Sequence, residues 1–207
     1  MSADLRDQFG DIDVYLFDQL LRGRIVDGMR VLDAGCGGGR NLVYLLRNGF
    51  DVWGVDESEA AIDRVRELAR RLSPHLAPDR FRIGQVEALP HAAASMDVVI
   101  SSAVLHFARD DDHWLAMVGE MWRVLAPGGV FFARLATTVG QPALRPIGGR
   151  RYVMPDGDAR YLVDHEMLMS VTSALGGVLL DPLKSAVVHD QRSMGTWVMR
   201  KPVAETS

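Results

Sequence analysis

The sequence predicts an α/β fold, one domain built on a largely parallel sheet with helices on both faces. Three observations predict it. Short apolar runs alternate with stretches of helical period from about residue 30 to 135. A turn with four glycines, GCGGG at 35–39, follows directly on the first of those runs. The last two apolar runs are joined too briefly for a crossover, so that pair is expected to be antiparallel.

The elements follow in order. Ile12, Tyr15, Leu16, Gln19 and Leu20 lie at helical spacing, with Asp18 and Arg22 interrupting the stripe. This predicts an amphipathic helix within an N-terminal helical segment, 1–28, that ends at the Asp27–Gly28 turn. RVLDA, 30–34, reads as a buried strand running into the glycines. Leu42, Val43, Leu45 and Leu46 continue a helical pattern that Gly49 stops. DVWGVD, 51–56, is the second strand. SEAAIDRVRELARRL, 58–72, is a helix with Ser58 as N-cap and Ile62, Val65, Leu68, Ala69 and Leu72 turned inward. RFRIGQ, 80–85, and MDVVISS, 96–102, are strands three and four, with a short crossover between them. DDDHWLAMVGEMWRVL, 110–125, is a helix whose three aspartates suit its positive N-terminal end. APGG, 126–129, predicts a turn into the fifth strand, VFFARL, 130–135. Residues 137–160 are rich in Gly, Pro and Arg, show no period, and are expected to form a loop or cap over the sheet edge. DHEMLMSVTSAL, 164–175, is a helix closed by Gly176–Gly177, and VLLDPLKSAVVHD, 178–190, pairs with SMGTWVMRK, 193–201. With no repeat or low-complexity linker, 1–207 reads as a single domain.

Composition narrows the function. Of 207 residues, 48% are hydrophobic and 24% charged, as in an ordinary globular chain. No apolar run is long enough to span a bilayer. The acidic, polar start does not read as a secretory or transit signal. One cysteine excludes an internal disulfide and any multi-cysteine metal site, and together these favour a cytoplasmic setting. A net charge of −4 argues against general nucleic-acid binding.

Glycines after a first strand cradle either a dinucleotide or another nucleotide-like cofactor. The dinucleotide pattern needs G-x-G-x-x-G, and here Arg40 stands where its last glycine belongs. Asp33, just ahead of the turn, would face a pyrophosphate with repulsive charge; a cationic amino-acid ligand suits it better. Five blocks then carry a resemblance: VLDAGCGGGRN, VWGVDES, GQVEALP, MDVVISSAVLHF and EMWRVLAPGGVFFARL. In this order and spacing they resemble the motifs of class I S-adenosylmethionine-dependent methyltransferases over about Arg30 to Leu135. The stretches 9–21 and 37–56 are also similar to the small tellurite-resistance-type branch. The resemblance implies a Rossmann-like sheet of seven strands, mostly parallel with an antiparallel C-terminal strand, and S-adenosyl-L-methionine as cofactor.

It also implies roles. Asp33, Gly35, Cys36, Gly37, Arg40, Asp56, Glu57, Gln85, Val86 and Ser101 form the expected cofactor site. Within it, Asp56 would accept the ribose hydroxyls, Gly35 and Ser101 carbonyls the ammonium, and Gln85 and Val86 would meet the adenine. Arg40, or an arginine from elsewhere in the chain, would pair with the methionine carboxylate. His106, just after strand four, reads equally as a general base or as a partly buried histidine. Arg134, Arg150 and Tyr152 are candidates for binding the acceptor; for most of the arginines a solvated loop is the competing reading. Cys36 reads as a small buried hydrophobe rather than a nucleophile. His106, Asp110, Asp111, Asp112 and His113 raise a metal cluster, but the helix dipole already accounts for the aspartates, and no metal is expected. The strand-four sequence SSAV lacks the Asn/Asp-Pro-Pro-aromatic signature of amino-group methylation in this family, and no Pro-Cys pair is present. The expected activity is in-line methyl transfer to a small-molecule acceptor by a monomer or homodimer. A nucleic-acid or protein methyltransferase, and a non-catalytic cofactor-binding module, remain the alternatives.

Overall fold

The computed structural model describes residues 4–141, 143–189 and 191–203. Seven strands form the main sheet. They are β1 (Arg30–Ala34), β2 (Asp51–Asp56), β3 (Phe81–Ile83), β4 (Met96–Ser102), β5 (Leu125–Ala136), β10 (Lys184–Val188) and β11 (Arg192–Arg200), in the order β10-β11-β5-β4-β1-β2-β3. The first five are parallel; β11 runs antiparallel to β5, and β10 antiparallel to β11. An eighth, two-residue strand, β9 (Val178–Leu179), pairs with the far end of β11.

Period-two alternation builds two cores. Val31, Val98, Ile100, Val130, Phe132 and Val198 face one side, against α2 (Val14–Leu21), α3 (Val43–Arg47) and α4 (Glu59–Leu72). Leu32, Val99, Phe131, Ala133, Leu135, Trp197 and Met199 face the other, against α5 (Asp111–Val124) and α6 (His165–Ala174). Two of the longer helices carry side-chain caps: Ser58, as expected, caps α4 through Ala61 N–H, and Asp110 caps α5 through His113 N–H. The switch in strand order falls between β1 and β4, so the crevice opens at the carboxyl ends of those strands.

Several expectations are corrected. A short helix, α1 (Leu5–Phe9), precedes the predicted one. Residues 126–129 do not turn the chain: they belong to β5, which shifts register against β4 between Met96 and Val98. The segment expected as loop or cap contains an antiparallel meander, β6 (Pro146–Gly148), β7 (Arg151–Val153) and β8 (Ala159–Tyr161). The run 178–190 is interrupted at 180–183, where Pro182 has no N–H to give a ladder and the buried Asp181 carboxylate accepts from Arg24 at 2.6 Å. The crossover before β4 holds only one 3₁₀ turn, Val86–Ala88.

Candidate active site

The glycine turn earns its composition. Gly35 has φ +81, and a Cβ there would lie 2.4 Å from Val104 Cγ2. Gly39 has φ +83, and a Cβ would meet Val65 Cγ2 at 2.8 Å and Leu68 Cδ2 at 2.9 Å on α4. A side chain at either position faces both a strained backbone and a clash. Gly39, not position 40, is thus where the turn packs tightly, which frees Arg40 to reach across and donate to Ser102 Oγ at 2.9 Å.

Around this turn lies a cleft of about 680 Å³. Gly35, Cys36, Gly37, Arg40, Asp56, Glu57, Gln85 and Val86 line it. So do residues that sequence reasoning did not select, chiefly Asn41, Ser102, Phe107, Arg109, His113 and Met117. Asp56 is oriented before any ligand arrives: one carboxylate oxygen accepts Gly37 N–H at 2.8 Å and the other Ser58 N–H at 2.9 Å. Each oxygen keeps a second lone-pair direction for a ligand hydroxyl. Opposite, Glu87 accepts from His113 Nε2 at 2.9 Å. His113 Nδ1 accepts Arg109 N–H at 3.1 Å, which places the imidazole proton on Nε2.

Asp33 and Ser101 are not in the lining. Asp33 is buried on the face of β1 shared with Val31, and neither carboxylate oxygen has a hydrogen-bond partner. Burial, with Asp56 adding repulsion and Arg40 opposing it, raises its pKa to about 7. Ser101 is buried with its hydroxyl unpartnered, and the neighbouring Ser102 takes the position on the wall. The Cys36 thiol is pushed well above its ordinary range by burial and by Asp33 and Asp56, so it is no nucleophile. Among the described residues no group of three His, Cys, Asp or Glu can hold a metal ion.

A second cleft, of about 570 Å³, opens beside the first, and Ala103 lines both. Its wall is His106, Ala136, Met154, Pro155, Asp156, Arg160, Gln191, Arg192 and Met194. Ala103 holds φ +65, an uncommon conformation for a residue with a side chain, and its N–H donates to Arg134 O at 2.8 Å. His106 is nine-tenths buried, with Nδ1 unpartnered; burial, then the Arg160 charge, lowers its pKa to about 4. It is therefore neutral at physiological pH.

The three candidates for the acceptor lie outside both clefts. Arg134 is taken up by structure: it lies 3.5 Å from the Asp13 carboxylate, donates to Met194 O at 2.5 Å, and sits over the Tyr15 ring. Arg150 pairs with Asp164, the N-cap of α6, at 2.8 Å. Tyr152 packs in a small satellite core with Met154 and Leu162. Their charge and position in the sequence were legible; their partners, which occupy them, were not.

The glycine cradle, the pre-oriented Asp56 carboxylate and the unpartnered Asp33 together fit a cationic amino-acid nucleoside. Comparison with known proteins agrees. The Methyltransferase domain family matches residues 31–129. The ubiquinone biosynthesis O-methyltransferase of Methylocella silvestris is 30% identical over 81% of this chain and 68% of its own length. That of Sinorhizobium medicae is 31% identical over 77% and 67%. In fold, an S-adenosylmethionine-dependent methyltransferase from Methanosarcina mazei superposes with a TM-score of 0.71 at 17% identity, covering 89% of this chain and 97% of that one. Site geometry and kinship converge: the chain belongs to the class I S-adenosylmethionine-dependent methyltransferases.

Proposed function

We propose that this protein methylates a small-molecule acceptor, with the cofactor in the first cleft and the acceptor in the second. The observation that carries this is the meeting of the two clefts at Ala103, at the carboxyl edge of β4. Bound S-adenosylmethionine supplies a methyl group activated by the sulfonium charge. Asp56 binds the ribose hydroxyls, Gln85 and Val86 the adenine, and Arg40 the carboxylate. Asp33 lies beneath the turn as a buried carboxylate whose ionised form gains most when a positive charge arrives above it. No anion develops on the departing thioether, so the chain's main tasks are holding the acceptor in line and excluding water.

The second cleft has the volume of a metabolite site, which supports a small-molecule acceptor. The relatives are named O-methyltransferases, which supports an oxygen acceptor, whose proton we assign to His106 on the cleft wall. The single, buried thiol is in keeping with a cytoplasmic setting. Two measurements test the reading. Calorimetry should show S-adenosylhomocysteine binding with no competition from NAD. Incubation with S-adenosylmethionine and a panel of phenols, carboxylates and thiols should release S-adenosylhomocysteine with one class of acceptor. Tight NAD binding without S-adenosylhomocysteine binding would overturn it.

A further inference from the structure

The two clefts differ in charge. The first is lined by Asp56, Glu57 and Glu87 against Arg40 and Arg109, with the Asp33 carboxylate beneath it. The second holds two guanidinium groups, Arg160 and Arg192, against one carboxylate, Asp156; its histidine is neutral. We propose that the second cleft selects an acceptor bearing an oxyanion on an apolar body, with Arg192 as its principal partner and Arg160 as the second. This deepens the proposed function and rests on the second cleft being the acceptor site.

The partners of these groups decide the assignment. Arg160 donates to Asp158 at 2.7 Å and lies over the Phe107 ring, so its position is set and part of its charge answered. Arg192 opens β11, is exposed, and pairs with no carboxylate among the described residues. The Arg134 guanidinium lies close enough to feel its charge, which adds a positive field behind Met194. Asp156 accepts Asp158 N–H at 3.0 Å, which draws part of its charge into the turn and away from the cleft. Apart from Gln191, the rest of the wall is apolar: Ala103, Ala136, Met154, Pro155 and Met194. Such a wall suits an aromatic or aliphatic body, while a guanidinium fork matches the geometry of an oxyanion. A cationic donor in an acidic cleft beside an anionic acceptor in a basic one also means that the two reactants attract each other, and neither cleft repels its own occupant.

Three isosteric probes test this on the protein preloaded with S-adenosylhomocysteine: 4-hydroxybenzoate, 4-hydroxybenzamide and 4-hydroxybenzamidine, which are anion, neutral and cation. Calorimetry should rank them in that order, with the benzoate bound at least about tenfold more tightly than the amide. Arg192→Gln should remove most of that preference and leave S-adenosylhomocysteine affinity unchanged. Asp156→Asn should tighten the benzoate several-fold. A benzoate that binds no better than the amide, neither binding included, overturns the oxyanion assignment, as does a preference that survives Arg192→Gln or a benzoate affinity unmoved by Asp156→Asn. Failure of S-adenosylhomocysteine to bind in the preloading step is a different result, and it is the methyltransferase reading that it would remove.

Discussion

Asp33 gives a prediction that needs no substrate. Its carboxylate is buried, both oxygens lack partners, and its pKa stands at about 7 against an ordinary 3.8. The folded state therefore keeps a proton that the unfolded chain has already lost. A group raised in this way favours the fold at low pH, and that contribution disappears as pH rises from about 4 through about 7. Worked through linkage, its ionisation costs about 1.5 kcal/mol of stability near pH 5 and about 4 kcal/mol near pH 8. In Asp33→Asn this cost is absent. The asparagine amide brings its own buried donors, but their cost does not change with pH. The difference in unfolding free energy between variant and wild type should thus grow in the variant's favour by about 2.5 kcal/mol from about pH 5 to about pH 8. Urea unfolding of both proteins without cofactor, across that range, measures it. Parallel curves, with a constant difference, would mean that Asp33 is ionised in the folded protein throughout and that solvent reaches it.

Three further outcomes are expected. Asp56→Ala should weaken S-adenosylhomocysteine binding by about 1.5–3 kcal/mol, roughly 10- to 150-fold, by calorimetry; an unchanged affinity would take the carboxylate out of the site. His106 is neutral above about pH 4, so a rate that uses it as base should be flat from about pH 5 to 8, whereas an acid limb centred near 6.5 would show that another group or a solvated imidazole controls turnover. Arg134→Ala strands the Asp13 carboxylate beside the start of α2 and should cost about 2–4 kcal/mol in urea unfolding, without loss of S-adenosylhomocysteine affinity; a cost under about 0.5 kcal/mol would make the ion pair decorative.

The parts of this molecule that sequence exposes are those written by contiguous residues. Neighbouring apolar residues of β1, β2, β4 and β5 alternate between two cores, and the glycine turn states its backbone requirement in five letters. The first cleft was largely legible because most of its wall follows directly on strands one, two, three and four. What escaped had no such signature. α1 is five residues long with no buried face, and the three-residue strand β6 is fully exposed, so neither offers a period to read. The second cleft draws on 103–106, 136, 154–160 and 191–194, which nothing in the linear order connects. Arg192 stands in a strand and looks like any exposed edge residue. Arg134 and Arg150 attracted attention as charges, and only the tertiary structure shows Asp13 and Asp164 already claiming them.

The family match ends at residue 129, and every residue of the second cleft except Ala103 and His106 comes after that point. On the proposed reading, the cofactor wall lies within the matched domain and most of the acceptor wall lies C-terminal to it. Exchange of the stretch from β6 onward could retarget the chemistry while the machinery for holding the nucleoside stays as it is. What such a graft must respect is one alanine, Ala103, which lines both clefts.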